Sequence, residues 1–167
     1  MPPAALNALV LAIFGPRANA ATTSALGHIA AHPTTIIGAI QGSPWVGAPA
    51  GYNDVRDARN NVDTGRKKSE WTGYHAEMII LNAILGYLAI DTSQSHAQIS
   101  VDLANATGGV SITANAPCCK HCGNMLDALG VGYHGAKGPA GLTGWWNPLT
   151  DVVTPNGSLE FAQAIPG

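Results

Sequence analysis

Charged side chains are scarce. Asp, Glu, Lys and Arg make up 11% of the 167 residues, less than half of the roughly 25% usual in soluble globular chains. With 46% hydrophobic residues and a formal net charge of −2, the chain lacks the polarity that keeps a segment disordered. It also lacks any apolar run approaching the ~18 residues of a membrane-spanning helix, which excludes that class. A general excess of positive charge is missing too, so the overall balance encodes no broadly basic nucleic-acid-binding surface. Five of the eight cations nevertheless crowd into one stretch, Arg56, Arg59, Arg66, Lys67 and Lys68, which is either a solvated loop or a local phosphate-contacting edge. Cysteine is limited to three residues, Cys118, Cys119 and Cys122. An odd, tightly clustered set argues against a disulfide framework and for a metal or a reactive thiol.

The length suits a single domain, 1–167. Ala8 to Phe14 is apolar and Ala18-Asn19-Ala20 has the form of a leader-cleavage site, but no Lys or Arg precedes the apolar run, so an ordinary first helix is expected. Pro3 to Phe14 predicts that helix, opened by Pro2-Pro3 and stopped by Gly15-Pro16. A second helix is expected from about Ala21 to Ala31, making residues 3–31 an N-terminal helical segment. Thr34 to Gln41 is rich in β-branched residues and reads as a strand. Gly42 to Gly51 reads as a loop, and Tyr52 to Lys68 as either a strand with a basic loop or a short helix. Tyr74 to Ile90 is the strongest helix, apolar on most sides. Gln98 to Leu103 and Val110 to Thr113 read as strands around a turn at Asn105 to Gly109. A helix follows Pro117 and ends near Gly130. Val131 to His134 reads as a short strand. Residues 135–167 form a loop and tail that includes Trp145-Trp146 and a short helix at Ser158 to Ala164. The alternation of helix and strand predicts an α/β sandwich around one central sheet, with the core at about 34–134.

Two short segments carry the chemistry, each at the start of a predicted helix: Tyr74-His75-Ala76-Glu77 and Pro117-Cys118-Cys119-Lys120-His121-Cys122. Zinc favours His nitrogen and Cys sulfur, and a hydrolytic site needs three protein ligands with a fourth position open. His75, Cys119 and Cys122 supply that count. The gap in Cys119-x-x-Cys122 lets both sulfurs face one ion across the first helical turn, where the helix dipole favours thiolates. Glu77 lies two positions from His75, too close for both to ligate one ion from a regular helix, but suited to carry protons beside a bound water. Pairings of Cys118 with Cys122 or with His121 are the other ligand sets. A lone His75 would more often be a core histidine, and a lone cysteine cluster a structural zinc site or soft packing. The combination in this order favours catalytic zinc. His121 is expected at the surface or behind a ligand, and His28, His32, His96 and His134 as structural or exposed.

His-x-Glu followed by Pro-Cys-x-x-Cys is the signature of the zinc nucleobase deaminases, and the chain resembles the cytidine deaminase-like superfamily. His75-Ala76-Glu77 matches the first half. The second half matches with a shift, because Pro117 precedes Cys118 while the Cys-x-x-Cys pair is Cys119 and Cys122. The resemblance covers about Thr34 to His134. It implies a three-layer α/β/α sandwich around a mixed five-stranded sheet, with both motifs on adjacent helices. It further implies a Zn2+ cofactor held by His75, Cys119 and Cys122, Glu77 as proton shuttle, and the backbone N–H groups of Ala76 and of Cys119 or its neighbour facing the base or the attacking water.

For substrate contacts, aromatic side chains able to stack on a base are of interest near the motifs. Trp71 and Tyr74 adjoin His75, and Trp45 and Trp145-Trp146 fall in predicted loops; each could equally close the core. Asn53, Asn60 and Asn61 follow the first predicted strand, where related enzymes place a substrate-binding Asn. His-Ala-Glu resembles the tRNA adenosine, guanine, dCMP and bacterial toxin branches. The displaced Pro117 and the Gly-rich loops look most like polymorphic-toxin deaminase domains. That branch implies cytosine in single-stranded DNA or RNA as substrate, delivery as a secreted toxin domain that acts in the cytoplasm, and an immunity protein as partner. Deamination of a free nucleotide, nucleoside or purine is the alternative within the same chemistry, and a non-catalytic zinc module that binds a partner through Trp145-Trp146 is the alternative outside it.

Overall fold

A computed structural model describes residues 1–17, 23–41, 48–54, 73–139 and 144–154. The first element is as predicted. Helix α1 runs Pro3–Phe14, with Pro3 in its first turn and Gly15 closing it by donating its N–H to the Leu11 carbonyl. Pro at the first helical position loses no intrahelical hydrogen bond and presets the helical φ.

The chain then departs from expectation. Strand β1, Ser24–Ile29, replaces the helix predicted for 21–31. It is one of two inner strands of a sheet ordered β3-β2-β1-β4, in which β2 is Ile36–Ile40, β3 is Tyr52–Asp54 and β4 is Val110–Ala114. β1 runs antiparallel to both β2 and β4, while β2 and β3 are parallel. Pairing on both edges and burial on both faces outweigh the helix propensity of Ala25 and Leu26. Leu26 faces α1 in a cluster with Leu6, Val10 and Ile36. Ala25, on the opposite face by strand alternation, joins the larger core.

That larger core is built on α2, Ala76–Tyr87. Its residues 76–81 and 83–85 are buried, as the apolar content predicts. Gly27 of β1 lets α2 approach: a Cβ there would stand 2.6 Å from Ile80 Cγ2. Helices α3, His96–Thr107, and α4, Lys120–Ala128, contribute Ile99, Leu103, Met125 and Leu126 to the same core. The layering is therefore α1, the mixed sheet, then α2 with α3 and α4.

Two further differences concern strands. The stretch predicted as a strand at 98–103 is the middle of α3. Ser95 caps it by accepting from the Gln98 N–H, Ile99, Leu103 and Thr107 are buried, and Gly108 ends it in the left-handed conformation. Ser95-x-x-Gln98 has the form of a capping box, a local signal that outranks the short apolar alternation. The sheet has four strands among the described residues rather than five. Gly132, in the predicted strand 131–134, makes one parallel bridge to Ser111 beside β4.

Beyond it, Trp145–Asn147 (β5) and Val152–Thr154 (β6) pair antiparallel. The predicted loop at Trp145-Trp146 is thus a strand, and both indoles are buried in the main core. No helix among the described residues is long and apolar enough to cross a membrane.

Candidate metal centre

The N-termini of α2 and α4 converge. His75 is the N-cap of α2 and Cys119 the N-cap of α4, where its Sγ accepts from the Cys122 N–H at 3.4 Å. The structure brings together His75, Cys119 and Cys122, whose ligand atoms lie within 4.8 Å of one another. His75 Nδ1 is 3.4 Å from Cys119 Sγ and 3.3 Å from Cys122 Sγ. With Zn–S of about 2.3 Å and Zn–N of about 2.0 Å, tetrahedral zinc separates a sulfur from a nitrogen ligand by about 3.5 Å. The donor set therefore fits a tetrahedral ion, with one ligand position left over. The group could hold a metal ion, and its nitrogen and sulfur donors suit zinc.

The imidazole is aimed from behind. Its Nε2 lies 3.2 Å from the Gly144 carbonyl oxygen. A carbonyl only accepts, so Nε2 carries the proton and Nδ1 turns toward the sulfurs. Gly144 leads into β5, which is tied to the segment before α2 by the Trp146 N–H donating to the Gly73 carbonyl at 2.9 Å. Gly73 has φ +92°, and a Cβ there would meet the Trp145 backbone N at 3.2 Å. Trp146 stacks on Tyr74 with ring centroids 4.6 Å apart and planes 19° from parallel.

Glu77 sits in the first turn of α2, only 2% exposed. Burial holds its proton affinity above the usual carboxylate range, against the pull of His75. Burial lowers the His75 pKa, but its hydrogen bond with Cys119 and the charges of Cys119 and Glu77 leave it raised overall. Cys119 is held well below the ordinary thiol range, first by its hydrogen bond with Cys122 and then, against its burial, by His75. Burial pushes Cys122 up. The two sulfurs thus share one readily formed negative charge.

Cys118 stands outside the three-donor group. It is 2% exposed, and burial, and then the charge of Glu77, push its pKa up. Sequence reasoning missed Gly144, which has no local signal.

The other expected residues fall as follows. Ala76 is buried and opens α2, where a helix's first N–H groups have no intrahelical acceptor. The Tyr74 ring is 2% exposed and packs on Trp146, so it closes the core. Trp145 and Trp146 do the same, which removes them as an exposed partner-binding loop. His121, expected at the surface or behind a ligand, is 3% exposed, with its ring 5.8 Å from that of Trp145. His28 is buried between the Met1 amino group and the Pro33 carbonyl. The backbone of Asn53 lies in β3, in register with Ile37. Trp45, Trp71, Asn60, Asn61 and the basic stretch 56–68 lie outside the described residues.

Comparison with protein-family profiles, with characterised proteins and with solved structures finds no match to this chain.

Proposed function

We propose that this chain is a zinc-dependent hydrolytic deaminase that converts cytosine to uracil in single-stranded nucleic acid. The observation that carries this reading is the burial of the Glu77 carboxylate beside the His75, Cys119 and Cys122 group. A structural zinc site has no use for such a carboxylate, and burying one is costly without a role or a partner. His75, Cys119 and Cys122 would hold the zinc, which would supply a Lewis acid at which water ionises near neutral pH.

Glu77 accepts one proton as a water oxygen bonds to C4 of the base. That proton passes to N3 of the ring, and the remaining proton of the C4 hydroxyl goes by way of Glu77 to the exocyclic amino nitrogen, which leaves as ammonia while the added oxygen becomes the C4 carbonyl. A carboxyl group whose proton affinity is raised by burial suits both halves of that relay. The converging helix N-termini add positive potential where negative charge develops on oxygen.

The preference for a polymer rests on the sequence: the His75-Ala76-Glu77 motif resembles the branches that include nucleic-acid deaminases, and the basic stretch 56–68 could follow a phosphate backbone. The toxin branch, with its immunity partner, is the biological setting that resemblance favours. The test is a mass-spectrometric deamination panel of cytidine, dCMP, adenosine, guanine, and single- and double-stranded DNA and RNA, with Glu77→Ala as control. Uracil formed only in single strands, and only with Glu77 intact, is the expected result. Conversion of a free base or nucleotide alone would transfer the chain to small-molecule metabolism. Silence with zinc bound, or full activity of Glu77→Ala, would end the proposed mechanism.

A further inference from the structure

The two sulfur residues of the metal group are held differently. Cys122 lies inside α4, whereas Cys119 is its N-cap, extended at φ −63° and ψ 162°. A helix does little for the backbone at that end, since its first N–H groups have no acceptor within it. A distant segment supplies the partners instead. The Gly138 N–H donates to the Cys118 carbonyl at 2.7 Å, and the Lys120 N–H donates to the Pro139 carbonyl at 3.2 Å. These are the two peptide groups on either side of the Cys119 Cα, so the pair of bonds fixes both of its backbone torsions.

Residues 137–139 belong to no helix or strand and are anchored through one side chain. Lys137 Nζ reaches Asn124 Oδ1 at 2.8 Å and Asp127 Oδ2 at 3.0 Å, both on α4. On the way its stem crosses α4 at Gly123, where a Cβ would overlap Lys137 Cγ and Cδ. An exposed ion pair of this kind adds little stability by itself. Its effect is geometric, because it settles where the next two residues present their backbone groups.

We infer that residues 137–139 are a strap that sets the position of Cys119 Sγ in the metal group, with Lys137 as its positioning residue. The strap joins neutral backbone groups to neutral backbone groups, so it works by placement alone. It rests on His75, Cys119 and Cys122 as metal ligands and is independent of whether the chain deaminates anything. Partners behind the ligands raise metal affinity because less order has to be imposed when the ion arrives. Here they keep Sγ 3.4 Å from His75 Nδ1, and Gly123 leaves the path of the Lys137 stem open.

The test is chelator competition for Zn2+ on the full chain, with Co2+ as a spectroscopic probe of the same site. Lys137→Met keeps the stem and loses the ammonium, and it should hold zinc about 10-fold more weakly. Gly123→Ala, whose methyl group displaces the stem, should do the same. Lys137→Arg should restore most of the affinity. The thiolate-to-Co2+ charge-transfer bands should weaken in the first two variants and recover in the third. Melting of the metal-free protein separates placement from stability: Ala forms helix better than Gly, so Gly123→Ala should loosen the metal without lowering the melting temperature. In Lys137→Ala the stem is gone, so adding Gly123→Ala should weaken zinc no further.

Zinc affinity and Co2+ bands unchanged in both Lys137→Met and Gly123→Ala overturn the strap. Weaker zinc accompanied by an equal loss of metal-free stability in both variants overturns positioning in favour of a general structural role. Full additivity of Gly123→Ala with Lys137→Ala overturns the crossing of the stem as the means. An unsubstituted protein that takes up neither Zn2+ nor Co2+ overturns the metal reading and the strap's purpose with it, whereas one that binds zinc and deaminates nothing leaves the strap standing and removes only the proposed activity.

Discussion

The Gly144 carbonyl, 69 residues from His75 in sequence, accepts a hydrogen bond from His75 Nε2 at 3.2 Å and so points Nδ1 at the two cysteine sulfurs. The metal group is therefore coupled to the β5–β6 hairpin, whose Trp146 stacks on Tyr74 one residue before His75.

Trp146→Ala should loosen that hairpin. Losing a fully packed indole costs about 3–5 kcal/mol of stability. Zinc affinity should fall by about 10- to 100-fold because the histidine loses its orienting partner. Thermal melting of the metal-free protein and chelator competition on the loaded one read the two effects separately. Unchanged zinc affinity would show that Gly144 does not orient the imidazole.

Ligand substitutions should divide the cysteines. His75→Ala, Cys119→Ser and Cys122→Ser should each bring bound zinc well below one per chain, whereas Cys118→Ser should leave it near one. Elemental analysis after dialysis decides this. Loss of zinc in Cys118→Ser would overturn the ligand set.

In the metal-free protein, thiol alkylation should follow the shared charge of the pair. Cys119, with its pKa lowered by the Cys122 hydrogen bond and by His75, is a thiolate at neutral pH, and its reaction should decline only in acid. Cys118 and Cys122, both pushed up by burial, should react only as pH rises into the alkaline range. Peptide mapping at several pH values would show one labelled cysteine near neutrality. Even labelling of all three would contradict the site's electrostatics, and added zinc should protect Cys119.

Gly27→Ala tests the contact between the sheet and α2. Its Cβ would meet Ile80 Cγ2 at 2.6 Å, and overpacking of this kind costs about 1–3 kcal/mol. Ile80→Ala, itself destabilising by cavity formation, should make the Gly27 substitution less costly in the double variant. Strict additivity in denaturant titrations would mean that the two residues do not collide.

Legibility in the sequence tracks the range of the forces involved. Helix α1 was visible because Pro3 and Gly15 punctuate it locally, and α2 because nearly every residue is apolar. Strand β1 was not, since Ala25, Leu26 and Ala30 favour a helix in isolation and only hydrogen bonding to β2 and β4 on either side makes the segment extended. The 98–103 stretch differs the other way: its short apolar alternation suits a strand, but the Ser95 cap and the Ile99, Leu103 spacing make it helical. Nothing near Trp145 and Trp146 in sequence reveals the core they enter.

The sequence by itself determined the donor types, their number and their spacing: His75 and Glu77 two apart, Cys119 and Cys122 three apart, each pair beside a helix start. Those are local facts, governed by helical geometry and the chemistry of nitrogen, sulfur and carboxylate. Only the tertiary structure decided that the two helix ends meet and that Gly144 turns the imidazole. These relationships join segments 40 or more residues apart, and they follow from packing α2 and α4 into one core, a condition that no stretch of sequence states alone.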